Sequence, residues 1–395
     1  MHLPITKPYI TARDYELVKD TLDSGWLVQG PRVKEFEKRI ARFTGAKYAI
    51  AVNSCTSGQF LMSRILDLQP GDEVILPAYT WISTANAIEY LGAKPVFCDI
   101  SLETFNIDTS LIESHINRYT RALYPVNLFG LAANMVELSH IAENYHLKVV
   151  EDCACGLGAK IGPTHCGLFG QAGIFSFHPR KSITTGEGGM IITNDQNIDR
   201  LARSLRDHGA ESSDYSRHTC GKSYKMSEYP ILGYNMRMTD LQGAIGIAQT
   251  EKLAMILDAK YKLGQEYNDR LSGLSWLKTP SIPKGYNHSY QTYCTLFKPE
   301  ETIDALAKKD VQQLDKMHKQ RNQVMSKLEQ KGIMTRPGTH AVHIQKLYKD
   351  KYHYHKMAFP KAYAADKLTI ALPFYPQMSS EEKEYLFQEL YKINP

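Results

Sequence analysis

Short apolar runs alternate with helix-length segments between about residues 45 and 195. Several runs are almost continuously apolar, which is typical of strands that are covered on both faces. Most neighbouring runs are separated by enough chain for a crossover helix, so we expect a largely parallel sheet. The seven predicted strands are YAIAV (48–52), EVILPA (73–78), KPVFCDI (94–100), RALYPVN (121–127), LKVVEDC (147–153), GIFSF (173–177) and MIITND (190–195).

The segments on either side of this alternating region have helical periodicity. Val33, Phe36 and Ile40 fall on one helical face with charged residues opposite, which predicts an amphipathic helix before the first strand. Thr239 and Gln242 have the spacing of a capping box, and apolar residues follow them at helical intervals. We expect the second helix to continue through the 250s and to connect two regions of the chain.

The pattern changes after about residue 195, where helices mix with a few short strands. Ser379 and Glu382 form another capping box, which predicts a last helix near the carboxyl end. The sequence has no repeats and no Pro/Gly/Ser linker, so the two regions should pack as one rigid unit. We predict a large α/β domain over residues 1–255, including the N-terminal segment, and a smaller α+β domain over residues 256–395.

Composition narrows the class of protein. The chain has 395 residues, 43% of them hydrophobic and 23% charged, with a net charge of +5 and basic residues interspersed among acids. These values are typical of a soluble globular protein and argue against a nucleic-acid partner. No apolar stretch reaches the length of about 18 residues that a membrane span needs, and the N-terminal segment has no apolar signal core. We expect no membrane association.

The cysteines favour a reducing compartment. They are odd in number and lack the spacing of a disulfide framework, so free thiols in a cytoplasmic protein are the simpler interpretation. The seven are Cys55, Cys98, Cys153, Cys155, Cys166, Cys220 and Cys294.

The most informative segment runs from Ser176 to Gly189 and reads SFHPRKSITTGEGG. Its lysine, Lys181, lies in a loop between a predicted strand and a Gly-rich turn, where it could point into a cleft. Lysine forms Schiff bases with carbonyl compounds and is the residue that tethers pyridoxal phosphate (PLP). Taken alone, however, the segment fits a solvated loop lysine better.

An acid follows the run LKVV. Asp152 lies at the carboxyl end of a predicted buried strand, the edge at which open α/β sheets bind ligands. A PLP enzyme needs a carboxylate to keep the pyridine nitrogen protonated. A helix N-cap is an equally good interpretation of this position on its own.

Two further strand ends carry candidate contacts. Thr56 and Ser57 precede a predicted helix, whose N-terminus could bind a phosphate, although a simple cap is the more common role. Trp81 follows the run EVIL and could stack on a flat ring, although a core tryptophan is more common. Together these features would place a phosphate site, an aromatic ring, an acid and a lysine at one edge of a sheet.

These features and their order resemble the DegT/DnrJ/EryC1/StrS family of sugar-nucleotide aminotransferases over nearly the whole chain. The resemblance implies the type I PLP-transferase fold: a large domain with a mostly parallel seven-stranded sheet flanked by helices, and a smaller C-terminal α+β domain. The matching motifs include Gly30-Pro-Arg-Val33, Pro70-Gly-Asp-Glu-Val74, Thr84-Ala-Asn86, Glu151-Asp152, Ser176-Phe177, Gly186-Glu-Gly-Gly189, Gly233-Tyr-Asn235-Met-Arg237 and Gly332-Ile-Met-Thr-Arg336.

The resemblance also implies a role for each candidate residue at the cofactor. Lys181 would form the Schiff base with PLP and later move a proton, Asp152 would pair with the ring nitrogen, and Trp81 would stack on the ring. The residues at phosphate-binding positions are Thr56, Ser57 and Ser176.

Four other positions complete the implied site. Asn235 matches an asparagine that reaches the phosphate in the neighbouring subunit, which implies a homodimer with shared active sites. Cys155 stands where family members commonly have Gln, His or Glu near the phenolic oxygen of the cofactor, and a thiol is a poor hydrogen-bond donor. Arg336 and His343 fall where family members often contact the nucleotide-sugar.

The implied activity is transfer of an amino group from an amino acid, most simply L-glutamate, to a keto group of a nucleotide-linked deoxyhexose. The product would be an amino sugar for a surface polysaccharide or a glycosylated metabolite. The alternatives are a sugar 3-dehydratase, a cyclitol aminotransferase or aminobenzoate synthase, and a non-catalytic PLP-binding protein. Dehydratases of this family replace the lysine by histidine, so Lys181 argues against the first.

Overall fold

A seven-stranded sheet dominates the computed structural model, which describes residues 1–219 and 224–395. Cys220 therefore lies outside the described residues. The strands are β1 (Tyr48–Val52), β2 (Glu73–Pro77), β3 (Tyr79–Thr80), β4 (Lys94–Cys98), β5 (Thr120–Leu123), β6 (Lys148–Asp152), β7 (Lys160–Ile161), β8 (Thr164–His165), β9 (Ala172–Ser176), β10 (Gly189–Thr193), β11 (Leu277–Lys278), β12 (Tyr286–Asn287), β13 (Cys294–Phe297), β14 (His340–Ala341) and β15 (Thr369–Ala371).

The large sheet has the strand order β1-β10-β9-β6-β5-β2-β4. Strand β10 runs antiparallel to both of its neighbours, and the pairings that join β9, β6, β5, β2 and β4 are parallel. All seven predicted strands belong to this sheet, so the prediction of a mostly parallel seven-stranded sheet is confirmed. The strands are mostly apolar because helices cover both faces.

The helices lie between and beyond these strands, and shorter 3₁₀ segments occupy residues 109–115, 128–130, 342–344 and 356–358. The α-helices are α1 (Ala12–Ser24), α2 (Pro31–Thr44), α3 (Cys55–Ile65), α4 (Ser83–Glu89), α5 (Met135–Asn144), α6 (Gln196–Leu205), α7 (Asp214–Thr219), α8 (Asp240–Glu251), α9 (Leu253–Leu271), α10 (Pro299–Ala307), α11 (Val311–Gln330), α12 (Lys346–Tyr352), α13 (Pro360–Leu368) and α14 (Ser380–Tyr391). Among the described residues, no helix is both long and apolar enough to cross a membrane.

Local sequence signals explain several helix ends. Both predicted capping boxes form, at Thr239 for α8 and at Ser379 for α14. The predicted amphipathic helix is α2, and it buries Val33, Phe36 and Ile40. The helix expected to continue through the 250s instead breaks at Lys252, whose φ/ψ of −112°/5° departs from helical geometry, so that α9 begins as a separate helix.

The C-terminal region packs closely against the large sheet. It contains a three-stranded antiparallel sheet in the order β11-β13-β15, and β14 pairs with β3 of the N-terminal half. The N-terminal segment, which we assigned to the large domain, joins this region: Leu3 pairs with Ile333, and its N–H donates to the Gly332 carbonyl at 2.8 Å. The predicted division after residue 255 falls inside α9.

Candidate active site

A cavity of about 330 Å³ opens at the carboxyl edge of the large sheet. Its walls come from the segments that follow β1, β3, β6 and β9, together with loops of the C-terminal region. Polar groups from distant parts of the sequence meet here because the carboxyl ends of parallel strands share one edge. The candidate residues that line the cavity are Thr56, Trp81, Asp152, Cys155, Ser176, Lys181 and Arg336.

Lys181 lies in the loop between β9 and β10 and faces the cavity. Its Nζ donates to Sγ of Cys155 at 3.2 Å. The loop is held by its own backbone, since the N–H of Lys181 donates to the carbonyl of His178 at 2.8 Å. The lysine therefore points inward, in contrast to the solvated loop lysine that its segment alone would favour.

Asp152 ends β6 and is only 3% exposed. Its Oδ2 accepts hydrogen bonds from the Gln59 amide and the Thr84 hydroxyl, both at 2.6 Å, and its Oδ1 accepts from the N–H of Ala154 at 3.0 Å. Burial raises the pKa of Asp152, although these hydrogen bonds and the nearby charge of Lys181 oppose the shift. No helix begins after Asp152 before α6, so this aspartate is not a helix cap.

Gln59 and Thr84 are contributors that our sequence reasoning missed. Each lies on a helix, α3 and α4 respectively, and each is completely buried. The Thr84-Ala-Asn86 motif drew attention to Thr84 only as a point of resemblance, and Gln59 gave no signal. Their partner Asp152 lies 93 residues from Gln59 and 68 residues from Thr84 in sequence, so the pairing depends on how the helices pack against β6.

The N-terminus of α3 borders the cavity. Ser54 caps the helix, since its Oγ accepts from the N–H of Ser57 at 3.1 Å. The Ser57 hydroxyl donates to Asn53 at 2.6 Å, whereas the Thr56 hydroxyl has no partner within the described residues. Ser57 is therefore engaged within the loop and does not line the cavity, and Thr56 has a free hydroxyl beside the positive end of the helix dipole.

A glycine allows this helix end to approach the sheet. A Cβ added at Gly189 would lie 2.5 Å from the carbonyl carbon of Ser54 and 2.6 Å from the nitrogen of Cys55. Any side chain there would push the α3 N-terminus away from β10. The Gly-rich turn after Lys181 thus has a packing role beside the cavity.

Trp81 is half exposed, at 51%, and is not the core tryptophan that its surroundings could have indicated. It follows β3, and its ring centroid lies 5.6 Å from that of His340, with an interplanar angle of 39°. Because β3 pairs with β14, the indole lies next to a short two-stranded sheet at the cavity wall. An exposed indole face there is available to a flat ligand.

The cavity also contains basic groups that sequence reasoning did not single out. His178 and Arg180 line it beside the predicted Arg336. Arg336 donates to the Gly338 carbonyl at 3.3 Å, and burial lowers its pKa. These groups favour an anionic ligand.

Besides Ser57, two more candidate residues lie outside the cavity. Asn235 is exposed and pairs with Asp207 through an isolated antiparallel bridge. His343 is completely buried, with its Nε2 3.1 Å from the Lys356 carbonyl and its ring packed 5.0 Å from that of Phe359. The side chain of His343 thus packs within the C-terminal region and does not line the cavity, in contrast to the predicted substrate contact.

The chemistry of the cavity fits PLP. Asp152 is a buried carboxylate whose hydrogen bonds come from neutral donors, so it has capacity for a cationic ring nitrogen. Lys181 supplies an amine at the same cavity, and the α3 N-terminus with Thr56 supplies donors for a phosphate. The cavity volume is also in the range of small-molecule sites.

Comparison with known proteins gives one consistent assignment. The sequence model of the DegT/DnrJ/EryC1/StrS aminotransferase family matches residues 8–391. The spore coat polysaccharide biosynthesis protein SpsC of Bacillus subtilis (strain 168) is 34% identical over 392 residues, which are 99% of this chain and 97% of that protein.

Solved structures agree with this match. The aminotransferase TlmJ from Streptoalloteichus hindustanus is 25% identical and superposes with a TM-score of 0.86 over 99% of this chain and 98% of its own. The GDP-4-keto-6-deoxy-D-mannose-3-dehydratase of E. coli, solved with bound hydrated PLP, is 26% identical and has a TM-score of 0.83 over 99% of each chain.

Proposed function

The chain belongs to the DegT/DnrJ/EryC1/StrS aminotransferase family and is a PLP-dependent aminotransferase, and from this premise we propose that it aminates a keto group of a nucleotide-linked deoxyhexose. The observation that supports the proposal best is the meeting of Lys181 and Asp152 in one cavity with Arg180 and Arg336. The first pair suits the cofactor, and the two guanidinium groups suit an anionic substrate.

The proposed roles follow from the position of each side chain. PLP, when bound, supplies an electron-withdrawing ring that stabilises negative charge on the carbon from which a proton is removed. Lys181 would tether the cofactor and, as a free amine, move that proton. Asp152 would hold the proton on the ring nitrogen, with Gln59 and Thr84 fixing the direction of its carboxylate.

The remaining groups of the cavity would hold the cofactor in one orientation. The proposed phosphate site consists of Thr56, Ser57 and Ser176. Thr56 would donate its free hydroxyl to the phosphate, and Ser57 would hold the N-terminus of α3 in place. The exposed indole of Trp81 would cover one face of the ring. Cys155 would contact Lys181 rather than donate to the phenolic oxygen, since a thiol is a weak donor.

The proposed substrates are anions. L-glutamate has two carboxylates, and a nucleotide-sugar has a diphosphate, so both suit a cavity with Arg180 and Arg336. The likeness to SpsC, named for spore coat polysaccharide biosynthesis, supports a polysaccharide amino sugar as the product. A glycosylated metabolite is the other destination that the same product would serve.

We also propose a homodimer with shared active sites. Asn235 is exposed and lies outside the cavity of its own chain, which leaves it available to a second copy. The segment that carries it is anchored to the phosphate-site loop, since the N–H of Asn53 donates to the Met236 carbonyl at 2.9 Å. An Asn235 that reaches the neighbouring site would therefore be fixed, through Met236, to the phosphate-site loop of its own chain.

The decisive experiment is turnover with defined substrates. PLP-loaded protein is mixed with L-glutamate and a panel of 4-keto-6-deoxyhexose nucleotides, and 2-oxoglutarate and amino sugar are measured. Lys181→Ala should lose both products and the borohydride-fixed cofactor, whereas the control Lys284→Ala, at an exposed loop position, should retain them. Release of a deoxygenated sugar without an amino group would instead identify a dehydratase.

A further inference from the structure

A second lysine is buried close to the cavity. Lys260, on α9, is only 2% exposed. Its Nζ donates to the backbone carbonyl of Gln291 at 3.1 Å and lies 5.6 Å from the ring centroid of Phe374. It forms no ion pair with any carboxylate of residues 1–219 and 224–395. A buried amine without a counter-charge destabilises a fold, so its presence needs a reason.

Hydrogen bonds connect this lysine to the loop of Lys181. The backbone carbonyl of Gln291 accepts the hydrogen bond from Lys260. Its side-chain amide donates to the backbone carbonyl of Arg180 at 2.6 Å. Arg180 is the residue directly before Lys181. The path therefore runs from the helix α9, through Gln291 at the cavity wall, to the peptide that carries the candidate cofactor lysine.

The charge of Lys260 is sensitive to its surroundings. Burial lowers the pKa of Lys260 to about 7, with a smaller lowering from Lys181 and an opposing effect from Cys155. The other titratable group that faces it is His288, whose pKa burial and the charge of Lys260 lower to about 3. His288 is therefore neutral near pH 7, where Lys260 changes charge.

We propose that Lys260 is a positioning residue for the transamination. It acts through Gln291 to fix the loop of Lys181, and its ammonium group places a second positive charge near the Lys181 nitrogen. This inference rests on the proposed function, in which Lys181 is the cofactor lysine. It predicts that the tether strengthens when Lys260 is protonated, because a charged donor forms a stronger hydrogen bond to the Gln291 carbonyl than a neutral amine. The positive charge also disfavours a second positive charge on the Lys181 nitrogen.

The first test uses the apoprotein and needs no turnover. An unfolded lysine titrates near 10.5, so between about pH 7 and 10.5 the unfolded chain holds a proton that folded Lys260 has released. Wild type should therefore gain thermal stability relative to Lys260→Met as the pH rises through this range. The control Lys252→Met, which removes a lysine paired with Asp14, should lower the melting temperature at pH 7. A parallel pH profile for wild type and Lys260→Met would overturn the inference.

The second test uses the holoenzyme. Lys260→Met should lower kcat of the amino-donor half-reaction about tenfold with little change in KM, and should move the midpoint of the cofactor's absorbance titration to higher pH. Lys260→Arg, which keeps the charge at every pH, should leave that midpoint low. Gln291→Leu, which cuts the side-chain link to Arg180 but keeps the carbonyl for Lys260, should reproduce the kcat loss without the change in the stability profile.

The outcomes separate this inference from the proposed function. If wild type carries PLP on Lys181 and transaminates, but Lys260→Met keeps the native absorbance midpoint and kcat, Lys260 has no positioning role and the inference falls alone. If wild type does not bind PLP through Lys181, the proposed function fails and the inference fails with it.

Discussion

Two buried carboxylates, Glu37 on α2 and Asp152 at the end of β6, show what distinguishes a structural acid from a candidate functional one. Glu37, on α2, is 5% exposed and pairs with Arg206 at 2.6 Å and Arg203 at 2.8 Å, while the N–H of Ala51 donates to it at 2.9 Å. Burial alone would raise the pKa of Glu37, but the two guanidinium groups lower it below its ordinary value.

Asp152 is buried to the same degree but has no guanidinium partner. Its donors are the amide of Gln59, the hydroxyl of Thr84 and a backbone N–H, and burial raises its pKa. The charge of Glu37 is thus compensated within the chain, whereas that of Asp152 is left to be compensated by a ligand. An incompletely paired buried charge beside a cavity is a sign of a functional site.

The largest expected effect is a loss of stability when the structural carboxylate, Glu37, is neutralised. Glu37→Gln removes the charge that Arg203 and Arg206 share, which leaves Arg206 without an ion-pair partner among the described residues and Arg203 with Asp199 alone. The free energy of unfolding should fall by about 3–5 kcal/mol, as is typical when a buried ion pair loses one partner. Denaturant titration measures this loss, and the folded fraction should still bind PLP normally. A loss of cofactor binding in fully folded protein would contradict the structural role.

The pH dependence of the same pair sharpens that assignment. The folded pKa of Glu37 lies below its ordinary value of 4.5, so its stabilising contribution is complete above pH 4.5 and is lost as the pH falls through the lower folded value. Acid unfolding of Glu37→Gln should lack this component. If wild type and Glu37→Gln lose stability equally as the pH falls, the ion pair of Glu37 is not the origin of the acid sensitivity.

The next effect concerns Asp152, for which activity and stability should move in opposite directions. Asp152→Asn removes the charge proposed to hold the ring nitrogen protonated, and the single-turnover rate with L-glutamate should fall by about 10²–10³-fold, the range seen when one electrostatic contact to a transition state is lost. Stopped-flow absorbance measures this rate. A nearly native rate would show that Asp152 has no role at the cofactor.

The apoprotein supplies the control for this variant. The folded pKa of Asp152 is raised above 3.8, so its contribution to stability falls as the pH rises from 3.8 through the folded value and remains unfavourable at neutral pH. Apo Asp152→Asn should therefore melt at a higher temperature than wild type at pH 7, opposite to Glu37→Gln. A lower melting temperature would place Asp152 with the structural acids.

A smaller effect tests whether a second copy of the chain contributes Asn235 to the candidate active site. Asn235→Ala should weaken PLP binding by about one to two orders of magnitude, since a hydrogen bond to a charged group contributes roughly 1.5–3 kcal/mol. Heterodimers of Lys181→Ala with Asn235→Ala chains should regain activity, because one site would contain both native residues. No recovery despite proven subunit exchange would show that each site comes from one chain.

The smallest effect concerns a single neutral donor to Asp152. Thr84→Val removes a hydroxyl at nearly constant volume and leaves Gln59 and the Ala154 N–H in place. The single-turnover rate should fall about fivefold, corresponding to a net contribution of about 1 kcal/mol for one hydrogen bond. Thr295→Val is the matched control and should leave the rate unchanged, because it removes an equally buried hydroxyl that donates to the Ile370 carbonyl and does not line the cavity.

The sequence by itself determined those features whose cause is local. Continuous apolar runs specified the seven strands, and the capping boxes at Thr239 and Ser379 specified where α8 and α14 begin. Asp152 was found at the end of a predicted strand and Lys181 in the loop after another, which the chain direction places at the ligand-binding edge of a parallel sheet. Each alone fitted a structural role, and their combination with the family resemblance favoured a cofactor site.

Tertiary structure decided every feature that depends on a partner far away in sequence. It gave Asp152 its two buried donors, joined Lys260 to the loop of Lys181, and placed His343 in the core instead of the cavity. Periodicity and caps report which face of an element is buried, because these depend on neighbouring residues. They do not report which buried polar groups meet, because that depends on how separate elements pack.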